Sequence, residues 1–141
     1  MHLTIFNGAA RPQAKSNTAL ILEAFCKGFE EKGDTAQVHH LSDRRQWEAA
    51  RAAFDAGDFF LIALPLYVEN IPGLLLEFLE GLEPKKQSGA RMAFLVQGGF
   101  PEASQLRCCE AYLETLPGKL GCAYAGTLIR GNNFFLRLLK D

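Results

Sequence analysis

Short apolar runs alternate with stretches of helical periodicity along the chain, and few folds accommodate that alternation. The run over residues 58–64 is apolar at nearly every position, as expected for a strand that is buried on both faces of a sheet. Strands that alternate with helices form a parallel sheet with helices on both faces. We therefore predict an α/β fold with a doubly wound, five-stranded parallel sheet. The predicted strands are residues 3–7, 36–41, 58–64, 91–97 and 123–129.

Between these strands, apolar residues recur at three- and four-residue spacing, which predicts helices. They cover residues 17–32, 44–56, 72–82 and 101–116. Gly33 ends the first helix and Pro117-Gly118 closes the fourth, since glycine and proline are typical of helix ends. Only residues 130–141 follow the last strand, so the last helix is predicted to be short. Either this short helix suffices, or a partner chain covers the rest of that face, or the natural chain is longer.

The length and charge of the chain exclude several classes of partner. With 141 residues, the chain is predicted to form one domain over residues 1–141. Its 15 basic and 16 acidic residues give a net charge of −1, whereas nucleic acid and anionic membranes require a basic surface. The longest apolar run, residues 59–68, is too short to span a bilayer. Because the first strand begins at Leu3, no signal peptide fits before it, and we expect a cytoplasmic protein.

The cysteines and histidines form no recognisable metal or redox motif. No two cysteines have C-x-x-C spacing, so we predict small buried side chains and no disulfide. His39 and His40 are adjacent on a predicted strand, and their side chains therefore face opposite sides, which is unsuited to a shared metal. The four cysteines are Cys26, Cys108, Cys109 and Cys122.

The segment after the first strand has the composition of an anion-binding loop. A short apolar strand leads into a turn-forming stretch, and a helix then begins at Ser16 or Asn17. The N-terminus of a helix leaves backbone N–H groups without intrahelical partners, and hydroxyl, amide and guanidinium groups beside it complete a phosphate cradle. Ser16 or Asn17 as an ordinary N-cap is the alternative, and capping is compatible with ligand binding. The side chains predicted to contact a phosphate are Arg11, Ser16, Asn17 and Thr18.

Two further loops leave the carboxyl ends of predicted strands, where the ligands of open parallel sheets bind. The loop over residues 65–73 carries two prolines and an aromatic residue. The loop over residues 97–101 pairs glycines with an aromatic residue and a proline. With the first loop, they supply an anion site, an aromatic wall and a run of backbone N–H groups. These features suit a planar, phosphorylated heterocycle, which indicates a nucleotide-like cofactor.

Three motifs occur in the same order in this chain and in one known family. The first is Asn7-Gly8-Ala9-Ala10-Arg11 with Ser16-Asn17-Thr18, the second is Pro65-Leu66-Tyr67 with Ile71-Pro72-Gly73, and the third is Gly98-Gly99-Phe100-Pro101-Glu102. In these motifs the chain resembles the flavodoxin-like NAD(P)H-dependent FMN reductases and oxidoreductases. The resemblance implies a flavodoxin-like fold, FMN as cofactor and NAD(P)H as co-substrate. It also implies a small-molecule electron acceptor and a homodimer.

The resemblance also assigns residues to the cofactor, loop by loop. The first loop would hold the FMN phosphate through Arg11, Ser16, Asn17 and Thr18. The second would line the ribityl chain and the flavin ring through Pro65, Leu66, Tyr67 and Asn70. The third would close the other side through Gln97, Gly98, Gly99 and Phe100. No side-chain acid, base or nucleophile is expected, because the hydride chemistry belongs to the flavin.

Two functions remain open from the sequence. The preferred one is an FMN-dependent oxidoreductase that passes electrons from NAD(P)H through bound flavin to a small-molecule acceptor. The alternative is a non-catalytic flavodoxin-like module, flavin-free or an electron carrier, that works by association. The near-neutral charge counts against a carrier that docks by charge, whereas the short C-terminus favours a partnered module. Tyr67 either stacks on the flavin or packs at the edge of the core.

Overall fold

Five parallel strands form a sheet in the computed structural model, which describes residues 1–65, 71–86, 89–98 and 110–130. The strands are β1 His2–Asn7, β2 Thr35–His40, β3 Phe59–Pro65, β4 Arg91–Gln97 and β5 Ala123–Arg130. They lie in the order β2-β1-β3-β4-β5, and each neighbouring pair is parallel. The chain passes from β1 outward to β2 and then returns to the other side of β1, so the strand order reverses between β1 and β3. The predicted doubly wound, five-stranded parallel sheet is confirmed.

The helices lie between the strands, as the periodicity predicts. They are α1 Asn17–Glu30, α2 Trp47–Ala56, α3 Gly73–Glu80 and α4 Glu110–Lys119. Short 3-10 turns, Gln13–Lys15 and Arg44–Gln46, precede α1 and α2, and the second turn replaces the start of the helix predicted over residues 44–56. Asp43 caps this turn by accepting a hydrogen bond from Arg45 N at 3.0 Å. Within the described ranges, no helix combines the length and apolarity needed to cross a membrane.

The two faces of the sheet carry different cores. An aromatic-rich core packs under α2, α3 and α4, where the ring centroids of Phe6 and Phe78 lie 5.4 Å apart and those of Phe54 and Phe60 lie 4.8 Å apart. A smaller aliphatic core packs under α1. Strand β3 contributes alternate residues to both cores, which explains its near-continuous apolar pattern. The buried residues of the smaller core are Leu3, Ile5, Leu22, Leu61, Ala63 and Leu95.

The end of the fourth helix differs from the prediction. Helix α4 continues through Pro117 to Lys119, so the prediction that Pro117-Gly118 closes it is wrong. Proline lacks an N–H group and crowds the preceding turn, but its carbonyl still accepts hydrogen bonds. Here the Pro117 carbonyl accepts from Leu120 N at 3.0 Å and from Cys122 N at 2.8 Å, and these bonds close the last turn. Similarly, Pro65 is the last residue of β3 instead of following the strand.

The described cysteines have the character of packing residues. Cys26 and Cys122 both have free thiols; Cys122 is buried, as predicted, and Cys26 is half-buried on α1. Burial raises the pKa of both thiols, which disfavours the nucleophilic thiolate. Cys108 and Cys109 lie outside the described residues, as do residues 101–109 of the fourth predicted helix and the short helix predicted after β5.

Candidate functional site

The first loop leaves β1 where the strand order reverses. Gly8 N donates to Ala63 O at 2.8 Å, which extends the pairing of β1 with β3. Ala9 N donates to the side-chain oxygen of Asn7 at 3.0 Å, and this bond turns the chain away from the sheet. A Cβ atom at Gly8 would lie 2.7 Å from Leu75 Cδ2, so glycine lets the loop lie close against α3. The start of the loop is therefore fixed by both neighbouring elements.

The N-terminus of α1 faces the same edge of the sheet and is capped as predicted. Ser16 Oγ accepts a hydrogen bond from Ala19 N at 3.1 Å, and Ser16 O accepts one from Leu20 N at 3.3 Å. Ser16 is therefore the N-cap, and its side chain is buried. The first turn of α1, which the structure describes completely, contains no acidic residue. The positive end of the helix dipole is not offset by a carboxylate in that turn, which favours an anion at this edge.

Basic side chains of the first loop add to this positive potential. Arg11 and Lys15 are both exposed, in the stretch that connects β1 to α1. Positive charges beside a helix N-terminus reinforce its attraction for an anion, although solvent and salt screen exposed charges. The guanidinium of Arg11 is accessible to a ligand that approaches the end of the sheet from solvent.

Two residues predicted to contact the cofactor contact each other. Gln97 Nε2 donates to Thr18 Oγ1 at 2.8 Å, and both side chains are buried, with exposed fractions of 5% and 0%. This bond joins the first turn of α1 to the last residue of β4. In this arrangement Thr18 and Gln97 fix the position of the helix N-terminus relative to the sheet.

Replacing Thr18 with valine is expected to lower the free energy of unfolding by about 1–2 kcal/mol, measured by urea unfolding. Valine keeps the shape of the side chain but removes the acceptor, so the buried Gln97 amide loses this hydrogen bond. The double variant with Gln97→Leu removes the donor as well, and its loss should be smaller than the sum of the single losses. Strict additivity of the two substitutions would argue against an energetic role for the contact.

The remaining predicted site residues fall into two groups. Asn17 is the half-buried first residue of α1, Pro65 is buried at the end of β3 in register with Gln97, and Gly98 is buried directly after β4. The structure thus brings the ends of β3 and β4 together with the first turn of α1. The residues of the second group lie outside the described residues: Leu66, Tyr67, Asn70, Gly99 and Phe100.

Asn7 begins the first motif but is not among the residues assigned to the cofactor, and His40 belongs to no motif, yet the two lie side by side at the ends of β1 and β2. Asn7 Nδ2 lies 3.1 Å from His40 Nδ1, and His40 N donates to Gln46 Oε1 at 2.9 Å. Burial lowers the pKa of His40, which favours its neutral ring. The sequence could have indicated this pair only because both are polar residues at or near the ends of consecutive predicted strands. His39 faces the opposite side, with its ring centroid 5.9 Å from that of Phe6, so the predicted opposite orientation of the histidines is confirmed.

The strand order, the capped helix and the loop at the reversal point define a flavodoxin-like α/β protein. No protein-family model matches this chain. A search of curated proteins likewise finds no relative. Solved structures do match, and they cover nearly the whole chain.

The chain is similar in structure to several reductases and oxidoreductases. An FMN-dependent NADH-azoreductase from Bacillus anthracis, solved in complex with FMN, matches with a TM-score of 0.70 and 14% identity over 95% of this chain and 89% of that one. An NADPH-quinone reductase from P. pentosaceus matches with a TM-score of 0.68 and 18% identity over 97% of this chain and 88% of that one. An NADH:FMN oxidoreductase in its apo form matches with a TM-score of 0.74 and 16% identity over 97% of this chain and 79% of that one. These likenesses confirm the predicted flavodoxin-like fold and its resemblance to this group.

Proposed function

We propose that this protein is an FMN-dependent oxidoreductase that passes electrons from NAD(P)H through bound flavin to a small-molecule acceptor. One observation carries the proposal: the N-terminus of α1, without a carboxylate in its first turn, lies where the sheet reverses its strand order. Doubly wound sheets bind nucleotide-like ligands at that point. The azoreductase that was solved with FMN has the same fold.

The residues around the first loop suit a phosphate group. Backbone N–H groups at a helix N-terminus and guanidinium groups are its usual protein ligands. The amides at the start of α1 and the exposed Arg11 side chain would hold the phosphate of FMN. The bond between Thr18 and Gln97 would keep that helix N-terminus in place against β4. FMN, when bound, supplies the hydride and electron-transfer chemistry.

The contacts to the rest of the cofactor stay predictions. Pro65 and Gly98, at the ends of β3 and β4, are expected to border the flavin. The homodimer and the use of NAD(P)H also belong to the proposal, because the resemblance implies them, and the cytoplasmic location stays an expectation. The residues expected to line the ribityl chain and the ring are Leu66, Tyr67, Asn70, Gly99 and Phe100.

Fluorescence titration of FMN with the purified full chain tests the cofactor. We expect quenching of the flavin, and binding at least about tenfold tighter than that of riboflavin, which lacks the phosphate. The reason is that a hydrogen bond to a charged group contributes about 1.5–3 kcal/mol. Equal affinity for the two flavins, or no quenching of either, would contradict a phosphate site in the first loop.

Oxidation of NADH and of NADPH by the FMN-loaded protein then tests the reaction. The absorbance of the reduced nicotinamide is followed with a quinone and with an azo dye as electron acceptors. Turnover with either acceptor supports the oxidoreductase. FMN binding without oxidation of either nicotinamide would instead support the non-catalytic flavodoxin-like module.

A further inference from the structure

Two polar side chains meet where β1 and β2 end, directly beneath the first loop. Asn7 and His40 are register partners on these strands. Asn7 Oδ1 accepts a hydrogen bond from Ala9 N at 3.0 Å, and Asn7 Nδ2 lies 3.1 Å from His40 Nδ1. A continuous path of hydrogen bonds therefore runs from the loop backbone through Asn7 to the ring of His40.

The direction of these bonds follows from elementary chemistry. The N–H of Ala9 can only donate, so the Asn7 atom that it contacts is the carboxamide oxygen. The NH2 group of Asn7 then faces His40, and it also can only donate. His40 Nδ1 must therefore accept, which requires a neutral ring with its proton on Nε2.

His40 is held in this position by its own backbone. His40 N donates to Gln46 Oε1 at 2.9 Å, and the next amide, Leu41 N, donates to Asn7 O at 3.0 Å. These bonds fix the backbone of His40 beside Asn7 while β2 stays paired with β1. A change in the proton count of the ring therefore acts on its contact with the Asn7 side chain.

Protonation of His40 would break this path. The charged ring carries a proton on Nδ1, so two donors would face each other across the 3.1 Å contact. If the Asn7 amide turned over to offer its oxygen to His40, its NH2 group would face the N–H of Ala9. Either way one of the two hydrogen bonds is lost, and in the second case it is the bond that turns the loop.

We propose that His40 is a proton-sensitive positioning residue for the first loop: the neutral ring holds Asn7 and Ala9 in the conformation that presents the loop to an anion, and the protonated ring releases it. The identity of the anion rests on the proposed function, but the hydrogen-bond path does not. His40 touches no reacting atom in this proposal and acts only through Asn7.

The surroundings of His40 set the direction of the pH dependence. Its ring borders a cavity of about 870 Å³ beside α1 and one of about 330 Å³ beside the turn Arg44–Gln46. Burial lowers the pKa of His40, so protonating the ring requires a lower pH than for a solvent-exposed histidine and destabilises the held conformation. The titratable groups that share these cavities are Glu23, Cys26, Lys27 and Glu30 of α1 and Asp43 and Arg45 after β2, and His39 adjoins His40 on its own strand.

Nuclear magnetic resonance of the FMN-free protein tests the path without any ligand. The Ala9 amide resonance and the His40 ring are followed together from about pH 8 down to the lowest pH at which the protein stays folded, because burial lowers the pKa of His40. We expect the two to change with one midpoint, whereas the Ala19 amide, which donates to Ser16, should not follow it. An Ala9 resonance that ignores the titration of His40 would overturn the proposal.

The variant His40→Asn is the matched control. Its side-chain oxygen takes about the place of Nδ1 and accepts a hydrogen bond at every pH, so the Ala9 resonance should become independent of pH.

The variant Asn7→Asp tests the contact from the other side. A carboxylate at position 7 still accepts from Ala9 N, and its negative charge stabilises the protonated ring of His40. We expect Asn7→Asp to raise the His40 midpoint by about one unit or more. An unchanged midpoint in Asn7→Asp would also overturn the proposal.

FMN binding then connects the path to the proposed site. Between neutral and acid pH, the Kd of the natural protein should rise about 2- to 10-fold more than that of His40→Asn, which corresponds to one hydrogen bond. The phosphate of FMN titrates equally with both proteins, so their ratio isolates His40. An identical pH dependence would overturn the positioning role while FMN binding stands. Absence of FMN binding would overturn the proposed function while the resonance data still decide on His40.

Discussion

Replacing Gly121 with alanine is expected to lower the free energy of unfolding by about 3–5 kcal/mol, because backbone strain and a collision act together. Gly121 lies between α4 and β5 with φ +78, a conformation that residues with a Cβ atom rarely adopt. A Cβ atom there would lie 2.8 Å from Lys85 N and closer still to Lys85 O. Backbone atoms cannot yield as a side-chain end can, and Lys85 N is itself bonded to Leu120 O at 3.0 Å. Urea unfolding measures the loss.

Two other glycines separate the contributions to this loss. Gly126 has φ +115, but a Cβ atom there would have no described atom within 4 Å apart from its chain neighbours, so alanine should cost about 1–2 kcal/mol from strain alone. Gly118 lies within α4 and has similar space around it, and alanine there should be neutral or stabilise the helix by up to about 1 kcal/mol. If Gly121→Ala were no more destabilising than Gly126→Ala, the collision with Lys85 would be ruled out.

The strands could be predicted well because their signal is local. The pattern that identifies a strand, such as the apolar run of β3, lies within the strand's own residues. Strand β4 accordingly begins and ends at the predicted residues, Arg91–Gln97. The end of α4 could not be predicted in this way. Pro117 remains inside that helix because Leu120 and Cys122 bond back to its carbonyl, and Leu120 is in turn bonded to Lys85 in a distant loop. Sequence patterns near Pro117 contain no information about that loop.

The candidate site shows the same division. The capping role of Ser16 follows from its place before an apolar helix, and the structure confirms it. The bond between Thr18 and Gln97 joins residues 79 positions apart, and the contact of Asn7 with His40 joins residues 33 apart. Such pairs can be inferred only after the strand order is known, because that order decides which strand ends lie side by side. Composition therefore indicated the region of the site, whereas the partners of its side chains required the fold.

Replacing Arg11 with alanine is expected to weaken FMN binding by about 1.5–3 kcal/mol, which is a rise in Kd of about 10- to 150-fold. Arg11 is the exposed guanidinium of the loop that leads to the N-terminus of α1. In the proposed site its loss would remove a charged hydrogen bond to the phosphate. Because the side chain is exposed, the free energy of unfolding should hardly change. Fluorescence titration with FMN measures the Kd, and urea unfolding verifies that the fold is retained.

Arg91→Ala is the matched control, since it removes the same charge from the opposite edge of the sheet. Arg91 is exposed at the start of β4, whereas the first loop lies at the carboxyl ends of the strands. Both variants lose one unit of positive charge, so an effect of net charge alone is shared by the two, whereas only Arg11 lies in the first loop beside the proposed phosphate site. Riboflavin supplies a second comparison, because its affinity should not respond to Arg11→Ala. Equal Kd values for FMN in Arg11→Ala and Arg91→Ala would remove Arg11 from the phosphate site.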